Sequence, residues 1–172
     1  MTTMFSVELV VDGAADAAVR ADWAALVEAG LPSQARHTGS SNRPHVTLAL
    51  AATAPGPVRE RLAALARDLS VPVTAGSVLI FGGRQFVLAR LAGPSVHLLD
   101  LQRRVVGALD DPVDRHGTFT AGAWTPHLTL ARRLTAAQVA AALAVLGPAG
   151  IPGRLHRMRL WDMSERQEHW LA

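Results

Sequence analysis

The chain has 172 residues, nearly half of them hydrophobic, and a net charge of only +3 with no run of like charges. That balance fits one domain, or two small lobes on a shared core, and excludes a disordered tail. Cysteine, lysine and tyrosine are absent, which excludes disulfides, thiolate nucleophiles, Cys-based zinc sites, a GxxxxGK[ST] phosphate loop and Schiff-base or nucleotidyl-carrying lysines.

All 17 basic residues are arginines. Arginine stays charged and forks well onto phosphate, so a mild preference for anions is expected. The arginines are scattered rather than laid out in a stripe, which argues against a long duplex footprint. No apolar stretch approaches the roughly 20 residues needed to span a bilayer. The opening MTTMFSVELVVDG lacks the basic region of a secretory signal, which makes the cytoplasm the expected location.

In chain order, FSVELVV (5–11) alternates like a half-buried strand, and residues 14–30 follow at helical spacing up to a glycine. A polar loop, LPSQARHTGSSNR, leads to a strand, PHVTLAL (44–50). Residues 56–70 predict a helix with proline in its first turn, and VPVTAGSVLIF (71–81) a strand that ends at the turn GGR. The second half repeats the order: strand 85–92, helix 94–110 opened by proline, loop DPVDRHGTFTAGAW, strand PHLTLAR (126–132), helix 135–147 with Thr135 as N-cap, and strand 154–163. Each half is β-α-β-α-β.

The repeat is sharpest at residues 44–49, PHVTLA, and 126–131, PHLTLA, which differ at one position. A period of about 80 residues is too long for a solenoid. Duplication into two lobes accounts for it better, with lobe 1 over about 1–83, lobe 2 over about 84–172, and terminal strands free to exchange between them. The expected architecture is α+β, bilobal, with two antiparallel sheets flanking a central cleft and helices outside.

Side chains two apart on a strand share a face. His45 and Thr47 therefore point one way, as do His127 and Thr129, while Val46, Leu48, Leu128 and Leu130 point into a core. Two facing imidazoles with ordinary pKa near 6.5 suit a matched acid and base, and the threonine hydroxyls can donate to oxygens that gain charge. This set of parts suits displacement at phosphorus without a metal. The two strands are too alike to say which histidine is the acid.

Two H-x-T-hydrophobic motifs, one in each half of a duplicated chain of this size, resemble the two-histidine (2H) phosphoesterase superfamily. PHLTLAR resembles the second motif of its 2′-5′ RNA ligases, also called RNA 2′,3′-cyclic phosphodiesterases. The resemblance spans essentially the whole chain. It implies a central-cleft site, hydrolysis of 2′,3′-cyclic phosphate ends of RNA or nucleotides, and reversible 2′-5′ ligation in some members, with His45, Thr47, His127 and Thr129 as the motif residues and no cofactor or metal. Relatives often carry an aromatic residue after the first motif, where this chain has Ala49 and Leu50.

Three further residues are candidates for holding substrate. Arg43 shares the face of His45 if the strand already begins there. Arg132 follows the second motif as in the family, although strict alternation turns it away from His127. Trp124 suits either stacking on a base or, as is commoner for a tryptophan beside a strand, packing. His37 and His116 lie in the loops before the motif strands, and His97, His156 and His169 are expected to be structural or surface residues. The expected partners are RNA ends or small cyclic-phosphate nucleotides, handled by a monomer away from membranes. Two alternatives stand beside the enzyme: a catalytically idle RNA- or nucleotide-binding module, and a metal site, for which two histidines supply too few ligands.

Overall fold

The structure is a computed structural model that describes residues 4–114, 116–120, 122–147 and 150–171. All ten expected elements form. They are β1 (Phe5–Val11), α1 (Gly13–Glu28), β2 (His45–Ala51), α2 (Gly56–Ala66), β3 (Val71–Phe81), β4 (Phe86–Ala92), α3 (Val96–Ala108), β5 (His127–Leu134), α4 (Ala136–Val145) and β6 (Ile151–Asp162). Two short pieces were not foreseen, a 3-10 turn at Gln34–Arg36 and a closing strand, β7 (Gln167–Trp170).

Local chemistry sets the helix boundaries. Asp12 caps α1 by accepting from the Ala15 N–H at 3.0 Å, and Ser95 caps α3 by accepting from Leu98 at 3.2 Å. Thr135 and Gln138 form a reciprocal capping box on α4. After α1 the chain passes through Gly30 at φ +71°, a left-handed position that costs glycine little.

The strands form one antiparallel sheet of seven, in the order β2-β1-β6-β3-β4-β5, with β7 also paired to β6. This corrects the expectation of two separate sheets. The physical reason is the length of β6. Its residues Leu155–Asp162 pair with β1, while on its other edge Ile151–Leu155 pair with β3 and Arg159–Asp162 with β7. Exchanging each strand for its counterpart in the other half leaves the order unchanged, because β1 is flanked by β2 and β6 just as β4 is flanked by β5 and β3.

The core lies against one face of this sheet. Val46, Leu48, Leu128 and Leu130 are fully buried, and all four helices add residues to the same cluster, among them Val19, Leu62, Leu98 and Ala142. The opposite strand face is therefore left to the polar members of the alternation. Two buried apolar residues on that face, Val10 and Ala89, stand outside the main cluster.

Candidate active site

His45 opens β2 and His127 opens β5, and the two rings are seated alike. Nδ1 of His45 lies 2.8 Å from the Arg43 carbonyl, and Nδ1 of His127 lies 2.8 Å from the Thr125 carbonyl. A carbonyl only accepts, so each Nδ1 carries a proton and each neutral ring keeps its lone pair on Nε2. The bond runs from each ring to the residue two before it, so the proline between them, Pro44 or Pro126, sits inside each loop. The repeated Pro-His spelling thereby builds two imidazoles with the same tautomer.

β2 and β5 stand at opposite ends of the strand order, yet the fold brings them together. The Trp23 indole N–H, from α1, donates to the Thr129 carbonyl at 3.1 Å. The Trp124 indole N–H donates to the Thr47 carbonyl, also at 3.1 Å. Each half thus satisfies an edge-strand carbonyl at the motif threonine of the other half, a group that would otherwise lack a ladder partner. His45 and Thr129 line one narrow pocket together with Trp23, Gln34, Asn42, Arg43 and Pro44. His45 and Thr129, from opposite ends of the strand order, thus share one pocket, His127 is near enough to feel the His45 charge, and all four motif residues are partly buried.

Each motif strand breaks its alternation at the same point. Opposite Val7 and Glu8 stand Ala49 and Thr47, and opposite Leu88 and Ala89 stand Ala131 and Thr129, so Leu48 and Leu130 are each an extra residue. After such a bulge the side chains change face. Leu48 and Ala49 are buried together, as are Leu130 and Ala131, and the next residue returns to the face of the histidine. In β5 that residue is Arg132, whose Nη2 reaches the Thr129 hydroxyl at 3.4 Å. Strict alternation had sent Arg132 the other way; the bulge corrects that. A second irregularity follows in β5 at Arg132 and Arg133, where Arg133 takes φ +61°.

The two rings differ in their surroundings. Burial pushes the His127 pKa below its ordinary value, the Thr125 carbonyl opposes this, and the charges of Arg132 and His45 push it down further. The Phe81 ring packs against His127 with centroids 4.7 Å apart. Near His45 stands a carboxylate instead: Glu8 Oε1 lies 3.6 Å from its Nε2. Glu8 is 4 % exposed and held in a network. Ser6 Oγ donates to its Oε1 at 2.5 Å, and Arg159 donates to its Oε2 from Nε at 2.9 Å and from Nη2 at 2.8 Å.

Three comparisons bear on what this arrangement is. The sequence matches the family described as the 2′-5′ RNA ligase superfamily over residues 15–167. The chain belongs to that superfamily of 2H phosphoesterases. Among solved structures it is similar to Usb1 of Kluyveromyces marxianus, with 17 % identity and a TM-score of 0.59 over 99 % of this chain and 97 % of that one. A structure of the same protein with uridine monophosphate gives 16 % identity and 0.54, again over 99 % and 97 %. LigT of E. coli, complexed with 3′-AMP, gives 15 % identity and 0.55 over 99 % and 94 %. At these identities the likeness is one of fold. A search of curated proteins found no match.

In this superfamily member the remaining candidates fall into place unequally. Trp124 is 9 % exposed and its N–H is committed to Thr47, so it is a brace and not a base-stacking surface. Arg43 lines the pocket beside His45, but its guanidinium pairs with Glu168 at 3.1 Å and lies 5.2 Å from the Trp170 ring. Its Nε is buried without a hydrogen-bond partner among the described residues. His37, His97, His116 and His156 are exposed and His169 is half-buried. Among the described residues no group of three or more His, Asp or Glu is placed to hold a metal, and no helix is long and apolar enough to cross a membrane.

Sequence reasoning missed Glu8 and Trp23. The signal for Glu8 was present: Ser6 and Glu8 are alternate polar residues inside the otherwise apolar FSVELVV, the mark of a strand with one functional face.

Proposed function

We propose that this chain is a phosphodiesterase that opens 2′,3′-cyclic phosphates at RNA ends or on nucleotides by paired-histidine acid–base catalysis, with reversible 2′-5′ ligation when a 5′-hydroxyl takes the place of water as the nucleophile. The observation that carries the reading is the identical seating of His45 and His127, each with Nδ1 locked on a carbonyl and Nε2 left for chemistry. The uridine monophosphate and 3′-AMP held by the similar structures agree with a nucleotide phosphate as the target.

The surroundings divide the labour. A proton on His127 faces the Arg132 guanidinium, whereas a proton on His45 faces the Glu8 carboxylate. His127 is accordingly the base. Its Nε2 takes a proton from water as the water oxygen attacks phosphorus, and His45 gives its Nε2 proton to the leaving ribose oxygen. One P–O bond forms and one breaks, and solvent exchange resets the two rings. The Thr47 and Thr129 hydroxyls and Arg132 donate to the non-bridging oxygens as charge accumulates there.

The test is turnover of 2′,3′-cyclic nucleotides in EDTA by the wild type, His45→Ala and His127→Ala, with the position of the product phosphate determined. Each substitution is expected to lower kcat by about 10²- to 10⁴-fold. Unchanged turnover in both variants overturns the site. Binding of a nucleotide 2′-phosphate with no turnover by the wild type would indicate a binding module instead.

A further inference from the structure

The face that carries His45 continues across the sheet. Val10 of β1 stands opposite His45 on one side and opposite Arg157 of β6 on the other, so the three side chains leave the same face in a row. Two strand spacings separate the ends of this row, about 10 Å between the backbone positions of His45 and Arg157. The neighbouring row runs Thr47, Glu8, Arg159, Trp170.

Trp170 anchors this wall. The Arg157 guanidinium carbon lies 3.8 Å from its ring centroid and that of Arg43 lies at 5.2 Å. Two of the wall's three arginines have their charge answered: Arg159 by Glu8 and Glu168, and Arg43 by Glu168. Arg157 is exposed and makes no ion pair among the described residues. The surplus positive charge of the wall is therefore carried by one guanidinium, seated over an indole and without a hydrogen-bond partner among the described residues.

Among the described residues of β4 and β3 no such row of arginines extends from His127. The counterparts of Val10, Glu8 and Arg159 on β4 and β3 are Leu91, Ala89 and Leu79, and the place of Arg157 falls in the irregularity of β3 between Ala75 and Val78. On the neighbouring strands the His45 side thus carries unpaired positive charge out to Arg157, whereas on the His127 side the cation, Arg132, stands on the motif strand itself and the neighbouring strands present apolar residues, with Phe81 against the His127 ring. A mononucleotide brings a single phosphate, which the histidines and threonines occupy. A strand brings more.

We infer that Arg157, seated on Trp170, binds a second backbone phosphate of an RNA strand whose cyclic end lies between His45 and His127, so that the substrate is an oligonucleotide end in preference to a free nucleotide. This rests on the phosphodiesterase reading above for the chemistry, but the docking itself can be measured without turnover. The wild type, Arg157→Ala, Arg157→Lys and Trp170→Leu are compared for kcat/KM on a short oligoribonucleotide with a 2′,3′-cyclic end and on a 2′,3′-cyclic mononucleotide, at 50 and 200 mM salt. Wild type is expected to favour the oligonucleotide about tenfold or more. Arg157→Ala is expected to lower that ratio about tenfold and to reduce the magnitude of the slope of log kcat/KM against log salt by about 0.7, the value for one phosphate contact on a single strand. Arg157→Lys restores the slope and part of the ratio, and Trp170→Leu loses part of the ratio. A ratio and slope unchanged by Arg157→Ala overturn the proposal, as does an equal loss on both substrates. Fluorescence anisotropy with a labelled oligonucleotide bearing a terminal 2′-phosphate supplies the second readout. If the wild type turns over neither substrate, the phosphodiesterase reading fails, and the proposed phosphate contact then stands or falls on whether Arg157→Ala weakens this binding and its salt slope.

Discussion

β2 and β5 share a scaffold and differ in charge. Both begin Pro-His, both seat the ring on a carbonyl two residues back, both bulge at the leucine after the threonine, and both receive an indole N–H from the other half. At two paired positions the symmetry fails. Leu50 occupies the place of Arg132 after the bulge, and Ala89 occupies the place of Glu8 on the neighbouring strand. The anion sits beside one histidine and the cation beside the other. A symmetric frame seats the two imidazoles alike, and these two differences are what the proposed direction of proton transfer rests on.

The largest expected break in this comparison is at Glu8. Glu8→Ala leaves Arg159 buried with only Glu168 to answer it, and breaking such a pair is expected to cost about 3 kcal/mol or more. Urea denaturation of the variant checks this. The counterpart Ala89→Ser, which touches no charge, should cost far less.

Next is Arg132→Leu, which gives β5 the residue of β2. Loss of a donor at the reacting phosphate is expected to reduce kcat by about 10²-fold. The same variant sharpens the proton assignment. Burial, the larger cause, and the Arg132 cation both hold the His127 pKa below its ordinary value. Removing the cation makes the imidazolium easier to form, so the acid limb of the kcat/KM profile should move to higher pH, while burial keeps it below about 6.5. A limb that stays in place or moves down assigns the base to another group.

The smallest expected effects are at the braces. Trp23→Phe and Trp124→Phe each leave a motif carbonyl without its donor, worth about 1–3 kcal/mol of stability. The two losses should be similar, and kcat should fall more than KM rises, because the braces tie together the two strands that carry the proposed catalytic pair. A difference of more than about 2 kcal/mol between them would show that the frame is less symmetric than its hydrogen bonds.

Much of this was legible in the sequence, because hydrophobic periodicity is a local property. The ten main elements and the inward faces of Val46, Leu48, Leu128 and Leu130 follow from spacing alone. That the two motif strands approach one another was inferred from the repeat, and His45 and Thr129 share a pocket. What escaped depended on pairing between distant segments. The bulges put two neighbouring residues on one side of a strand, and only the partner strand reveals the extra one; in hindsight the unbroken Leu-Ala step after each threonine was the clue. Trp124 looked like a stacking residue because its place beside the motif was visible and its commitment to Thr47 was not. The single sheet escaped for the same reason, since nothing in β6 itself says that both halves will use it.

That shared strand has a consequence for how the protein is made. β1 is made well before one of its two flanking strands, which lies much further along the chain at residues 151–162. Until then β1 and β3 each present an unpaired edge, and contacts so distant along the chain slow the search for the native arrangement. The groove between the two motif strands can therefore form only after β6 has been made, and a nascent chain stalled before β6 carries both motifs without the strand that joins the halves.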